Sequence, residues 1–158
     1  MAKKYKGIWF YGLSGSGKTY VSKILYKKIN NSVLVDGDVV RKLISFDLGY
    51  TQSDREIQIK RVFGISKLII NSKKFPIIST VYFSKKLNFK CLKNKIIPIK
   101  ISRDNFDKIF KKHRTYKNKK NVVGKDLKYP KLKTFEITNN NKKNFISNNK
   151  ILKKLGII

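Results

Sequence analysis

Residues Gly12-Leu13-Ser14-Gly15-Ser16-Gly17-Lys18-Thr19 fit the pattern G-x-x-x-x-G-K-[ST]. Such a glycine-rich turn wraps phosphate oxygens with its backbone N–H groups. The pattern needs a strand before it and a helix after it, and both flanks comply. Gly7-Ile8-Trp9-Phe10-Tyr11 is a short apolar run that reads as a buried strand, and Val21, Ile24, Leu25, Tyr26 and Ile29 recur at helical spacing. A helix beginning at the turn adds its dipole and unpaired N–H groups to phosphate binding. Gly12, Ser14, Gly15, Ser16 and Gly17 then form the cradle. Lys18 is expected to reach the β- and γ-phosphates of ATP, and the Thr19 hydroxyl to bind Mg²⁺.

The 158 residues are expected to form one domain (1–158) with enough chain to bury a core. No apolar run approaches the roughly 20 residues that cross a bilayer, so no membrane partner is expected. Met1-Ala2-Lys3-Lys4-Tyr5-Lys6 has no apolar segment of the export type. Cys91, the single cysteine, excludes an internal disulfide and a cysteine-based metal cluster. The cytoplasm is the expected compartment. The net charge of +29 would by itself suggest a polyanionic partner. It is scattered lysine, however, mixed with Asn and Ile as an AT-rich coding sequence produces, and it lacks the face or stripe of a nucleic-acid footprint. Arginine is scarce, at Arg41, Arg55, Arg61, Arg103 and Arg114 only, so each one raises a specific question.

Further along, 32–35 reads as a second strand running into Asp36-Gly37-Asp38, and 39–45 as a short helix. A loop over 46–51 leads to a long helix capped by Thr51 or Ser53. Asp54 and Glu56 suit its first turn, and Ile57, Val62, Ile65, Leu68 and Ile69 its buried stripe. Strands are expected at 75–80, 96–101 and 134–138, and helices at 84–93, 105–112 and 142–155, with Phe106, Ile109 and Phe110 inward in the second of these. Pro98 favours a position near a sheet edge. His113 to Lys128 is almost wholly polar and basic, which predicts a short mobile lid over about 113–128. Strands alternating with helices mean a parallel five-stranded sheet with helices on both faces.

Asp36 and Asp38 stand at the C-terminal end of a strand, where parallel sheets bind ligands. Two carboxylates there can hold Mg²⁺ through water and take a proton from an attacking hydroxyl. A turn followed by a helix cap would use the same residues. With the phosphate turn, Val35-Asp36-Gly37-Asp38-Val39-Val40-Arg41 and Asp47-Leu48-Gly49-Tyr50-Thr51-Gln52-Ser53-Asp54-Arg55 follow in an order and spacing that resemble adenylylsulfate kinase. The similarity continues more weakly to about Asn140. The resemblance implies the three-layer α/β P-loop kinase fold with a lid, and transfer of the γ-phosphate of ATP to the 3′-hydroxyl of adenosine 5′-phosphosulfate. It makes Asp36 the first candidate for base or Mg²⁺-water partner, with Asp38 positioning the hydroxyl. Arg41 and Arg55 would grip the acceptor's acidic groups, Tyr50 would stack on its base, and Gln58, Val81 and Val122 would also contact it. Arg114 and His113 would lie near ATP. For Arg61 a helix-surface role and a functional one stand level.

The sequence also departs from that family. Gln58 replaces its usual asparagine, and Val81-Tyr82-Phe83 replaces an isoleucine-serine-proline. The segment from Arg114 to Asn121 looks shortened. Asn121-Val122-Val123-Gly124 lacks the phenylalanine that would form the second stacking face. The valine pair resembles adenylylsulfate-kinase-like enzymes of surface-polysaccharide loci, so cytidine diphosphoramidate is the alternative acceptor. A basic P-loop module that binds nucleic acid is a third reading, against which the window from Arg41 to Arg55 argues. The partner is therefore expected to be a small nucleotide acceptor, and a homodimer is left open.

Overall fold

The computed structural model describes residues 4–104, 106–118, 120–127, 130–140, 152, 153 and 155–157. Its centre is β1 (Gly7–Tyr11), buried along its whole length. Alternate residues of a strand face opposite sides, and β1 uses both. Ile8 and Phe10 enter one apolar cluster with Val21 and Leu25 of α1 (Lys18–Lys28) and with Ile29, which follows it. Trp9 and Tyr11 enter a second cluster. There they meet Ile59 and Val62 of α3 (Gln52–Asn71) and Leu87 and Cys91 of α4 (Lys85–Lys93). Helices on both faces give the three layers expected from the alternation of elements.

The other strands are β2 (Ser32–Asp36), β3 (Phe75–Thr80), β4 (Ile96–Arg103) and β5 (Phe135–Asn139). All pair in parallel, in the order β2-β3-β1-β4-β5. Both strand prolines sit where one flank is not yet paired. Pro98 is level with Trp9 of β1, but the ladder to β5 starts one residue later at Ile99. Pro76 is level with Val33 of β2, and the ladder to β1 starts at Ile77. A missing N–H is tolerated there because no neighbour asks for it.

Three expectations need correction. The short helix α2 (Gly37–Leu43) starts two residues before the expected position, because the Asp36 carboxylate accepts from the Asp38 N–H and caps it. On α3 the expected Val62, Ile65 and Ile69 reach the second cluster, but the inner face also takes polar residues and leaves Leu68 out. Gln58, Ile59, Val62 and Ser66 are buried, whereas Leu68 is 68% exposed. The inner face carries polar residues because its first half borders the cleft described below. The described part of 113–128 is less uniformly polar in its packing than its composition implies. It contains α6 (Arg114–Asn118), after α5 (Phe106–Lys112), and a bridge between Val123 and Leu127. Tyr116, Val122 and Val123 supply buried apolar contacts within this polar stretch. Phe110 stacks on Tyr116, whereas the side chains of Phe106 and Ile109 and most of the expected closing helix lie outside the described residues. Among the described residues no helix is long and apolar enough to cross a membrane.

Thr51 and Asp54 form a reciprocal capping box at the start of α3. Thr51→Ala is expected to lower unfolding stability by about 1 kcal/mol, read as an earlier urea midpoint with an unchanged slope, and Thr51→Ser to restore most of it. An unchanged midpoint for the alanine variant would show that the helix start is fixed by tertiary packing instead.

Candidate active site

The phosphate turn leaves β1 beside β4, and this fixes what can stand at position 12. A Cβ on Gly12 would lie 2.2 Å from the Ile101 carbonyl oxygen, so only glycine lets the turn approach β4. Gly15 (φ 84°) and Gly17 (φ 100°) occupy left-handed backbone conformations, and Gly17 leads directly into α1. Lys18 is 8% exposed, and its ammonium donates to the Leu13 carbonyl at 2.8 Å. Burial pushes its pKa down to about 8, against the opposing charges of Asp38 and Asp36. Such a lysine awaits an anion.

Thr19 and Asp36 meet at the next turn. The Thr19 hydroxyl donates to Asp36 Oδ2 at 3.2 Å, and Ser79 Oγ donates to the same oxygen at 3.2 Å. Asp36 and Ser79 are register partners across β2 and β3, which explains their contact. Asp36 Oδ1 is taken by the α2 cap, while Oδ2 faces the cleft side of the strand end with Thr19 and Ser79. Asp38 is different: its carboxylate is exposed in the cleft and has no hydrogen-bond partner among the described residues. A hydroxyl and a carboxylate oxygen this close suit a hard cation. Mg²⁺ takes few protein oxygens and completes its shell with water and phosphate. Among the described residues no cluster of three or more His, Cys, Asp or Glu offers an all-protein alternative.

These groups line a cleft of about 690 Å³, a volume in the range of ligand pockets. Of the residues named from the sequence, Ser14, Gly15, Lys18, Thr19, Asp36, Asp38, Arg41, Tyr50, Arg55, Gln58, Val81, Val122 and His113 all line it. Gly12, Ser16 and Gly17 lie behind its surface as the turn's scaffold, and the Arg114 side chain lies outside the described residues. Arg41 donates to the Gly49 carbonyl at 2.5 Å, and Arg55 to the carbonyls of Tyr50 and Asn121 at 3.2 and 2.8 Å. Their guanidiniums stand 4.7 and 5.5 Å from the centre of the Tyr50 ring. Burial, and after it the Arg41 charge, holds the Arg55 pKa below its ordinary value. Gln58 is 5% exposed; its Nε2 supports the Gly37 carbonyl at 3.0 Å, while Oε1 is buried without a partner among the described residues.

Arg61 resolves to the structural reading. It lies outside the cleft and forms a two-pronged ion pair with Asp47 at 2.5 and 2.7 Å, tying α3 to the preceding loop. Sequence reasoning missed other residues. Lys42, Ser79, Thr80, Tyr82, Thr115 and Lys120 also line the cleft. Ser79 could have been found from its place at a strand end level with Asp36. Tyr82 stands out in the sequence only as a departure from the family pattern; it donates to Glu56 at 2.7 Å, and burial followed by that carboxylate pushes its pKa up to about 12. Gly124 approaches the turn closely: a Cβ there would fall 2.7 Å from Leu13 Cδ2.

Known proteins share part of this sequence and the fold. A family model described as adenylylsulphate kinase matches residues 4–94. An adenylyl-sulfate kinase of Buchnera aphidicola (subsp. Schizaphis graminum) is 37% identical over 78 residues, covering 47% of this chain and 37% of its own. One from Staphylococcus haemolyticus is 42% identical over 69 residues, covering 41% and 35%. The chain thus spans well under half the length of these curated relatives. Among solved structures, the Mycobacterium tuberculosis APS kinase CysC in complex with AMPPNP and APS superposes with a TM-score of 0.74. It does so over 85% of this chain and 88% of its own at 20% identity, which establishes the shared fold.

Gly12→Ala should force the turn away from Ile101. The expected outcome is a stability loss of about 1–3 kcal/mol together with weaker ATP binding by calorimetry. Wild-type affinity in a folded variant would show that the close approach to β4 is dispensable.

Proposed function

The chain belongs to the adenylylsulphate kinase family, and from that premise we propose that its cleft transfers the γ-phosphate of ATP to the 3′-hydroxyl of a nucleotide, with adenosine 5′-phosphosulfate as the acceptor. The observation that carries the reading is the meeting of Thr19 with Asp36 beside a buried, anion-seeking Lys18, with the unpaired Asp38 facing the same cleft. The choice of acceptor is supported by the names of the relatives and by the two ligands named for the mycobacterial structure.

In this mechanism the turn's N–H groups and the start of α1 bind the phosphates of ATP, and Lys18 leaves the Leu13 carbonyl to bridge the β- and γ-phosphates. Thr19 and Asp36 would hold Mg²⁺, the latter through water. Bound there, the ion would supply charge neutralisation for the transferred phosphate. Arg41 and Arg55 bind the acceptor's sulfate and phosphate oxygens, for which a guanidinium fork is well shaped. The acceptor base stacks on Tyr50, with Val122 giving apolar contact opposite. The 3′-oxygen forms a bond to the γ-phosphorus as the bond to the ADP oxygen breaks, and the hydroxyl proton passes to a carboxylate. Asp38 suits that last role, because both Asp36 oxygens are already engaged.

The test is steady-state turnover with adenosine 5′-phosphosulfate and, in parallel, cytidine diphosphoramidate. Asp38→Asn is expected to lower kcat by roughly 10²–10⁴-fold with ATP affinity little changed. Arg41→Ala should raise KM for the acceptor and leave KM for ATP nearly constant. A preference of the wild type for the cytidine conjugate would overturn the proposed acceptor, and an Arg41→Ala effect confined to ATP would overturn the division of the cleft.

A further inference from the structure

Three residues outside the cleft each hold a carbonyl of the phosphate turn. The Tyr116 hydroxyl, from α6, donates to the Ser14 carbonyl at 3.2 Å. Arg103 Nη1, from the end of β4, donates to the Gly15 carbonyl at 2.9 Å. Asn139 Nδ2, from the end of β5, donates to the Ser16 carbonyl at 3.0 Å. Three consecutive carbonyls are thereby taken by three different elements. Arg103 and Asn139 are register partners across β4 and β5, so the sheet itself brings them to adjacent carbonyls. None of the three lines the cleft.

We infer that Arg103, Tyr116 and Asn139 act as positioning residues, a carbonyl clamp that fixes the direction of the turn's phosphate-binding N–H groups. The inference rests on the reading of residues 12–19 as the phosphate site. A peptide unit is planar, and in the trans form its C=O and the following N–H point in opposite directions. Holding the carbonyls of Ser14, Gly15 and Ser16 on the outer side therefore turns the N–H groups of Gly15, Ser16 and Gly17 to the other side. The Ser16 N–H bears this out: it points to the Leu13 carbonyl at 3.1 Å, the oxygen that also receives the Lys18 ammonium at 2.8 Å. The Ser16 N–H and the Lys18 ammonium thus converge on one spot. Without the clamp, glycines at 15 and 17 leave these peptides free to rotate, because glycine restrains its backbone least. Fixed donors need no reorganisation when charge develops, which is where preorganised sites gain most.

The clamp further links the lid segment to the phosphate turn, since Tyr116 belongs to α6 and stacks on Phe110 of α5 at 4.7 Å.

The experiment is calorimetric binding of inorganic triphosphate, which needs no acceptor and no turnover, with separate titration of adenosine 5′-phosphosulfate and a thermal melt. Tyr116→Phe keeps the ring and changes no charge, so an effect cannot come from long-range attraction. A single net hydrogen bond converts to roughly a three- to tenfold change, and a loss of that size in triphosphate affinity is expected. Arg103→Ala should lose more, and both variants should keep the acceptor affinity and melt near the wild type. Triphosphate affinities equal to the wild type would overturn the clamp. So would a parallel loss of triphosphate and acceptor affinity with a lowered melting point, which marks a merely structural role. If the wild type itself failed to bind triphosphate, the phosphate-site reading would fall, and the clamp with it.

Discussion

The close approach of the phosphate turn to β4 governs the rest of this molecule. Ile101 leaves no room for a side chain at position 12, so the chain passes under it only as glycine. That passage decides where α1 starts, and hence where Lys18 and Thr19 stand. Thr19 then meets Asp36, which the pairing of β2 with β3 has brought level with Ser79. A change of one residue in that register would turn the strand's side chains to the other face. The site is thus a consequence of sheet geometry at the C-terminal ends of parallel strands, where such folds bind ligands.

Electrostatics gives the cleft its preference. Lys18, Arg41, Lys42, Arg55 and Lys120 line it, against Asp36 and Asp38. Burial already strains the charge of Lys18 and of Arg55. Two guanidiniums share the Tyr50 ring, and each is tied to backbone carbonyls that offer only partial negative charge. An anionic nucleotide would relieve both. The remaining positive charge of the chain is scattered along the sequence and adds nothing to this argument.

Much of this was legible in the sequence because the signals were local. The phosphate pattern with its strand and helix, the strand at Phe75–Thr80 and the Thr51 cap depend on neighbouring residues, and each was found where it was expected. The errors came where distant packing decides. Leu68 fits the helical stripe but points outward, because Gln58 and Ser66 occupy the inner face of α3. The lysine-rich run after His113 hides Tyr116, Val122 and Val123, whose burial depends on the turn and the apolar cluster they reach. Asp36 could not be divided between cap and site from sequence; one of its oxygens caps α2 and the other meets Thr19. Arg103 was conspicuous only by scarcity; its partner lies 88 residues away.

Whether the cleft transfers phosphate to a nucleotide, rather than to water, is the central claim. Phosphorus NMR of the wild-type protein with ATP, Mg²⁺ and adenosine 5′-phosphosulfate tests it most directly. The account predicts that the γ-resonance of ATP disappears as one new phosphomonoester resonance appears, coupled to the ribose 3′-proton, with ADP formed in equal amount. Inorganic phosphate accumulating beside an unchanged acceptor would contradict it.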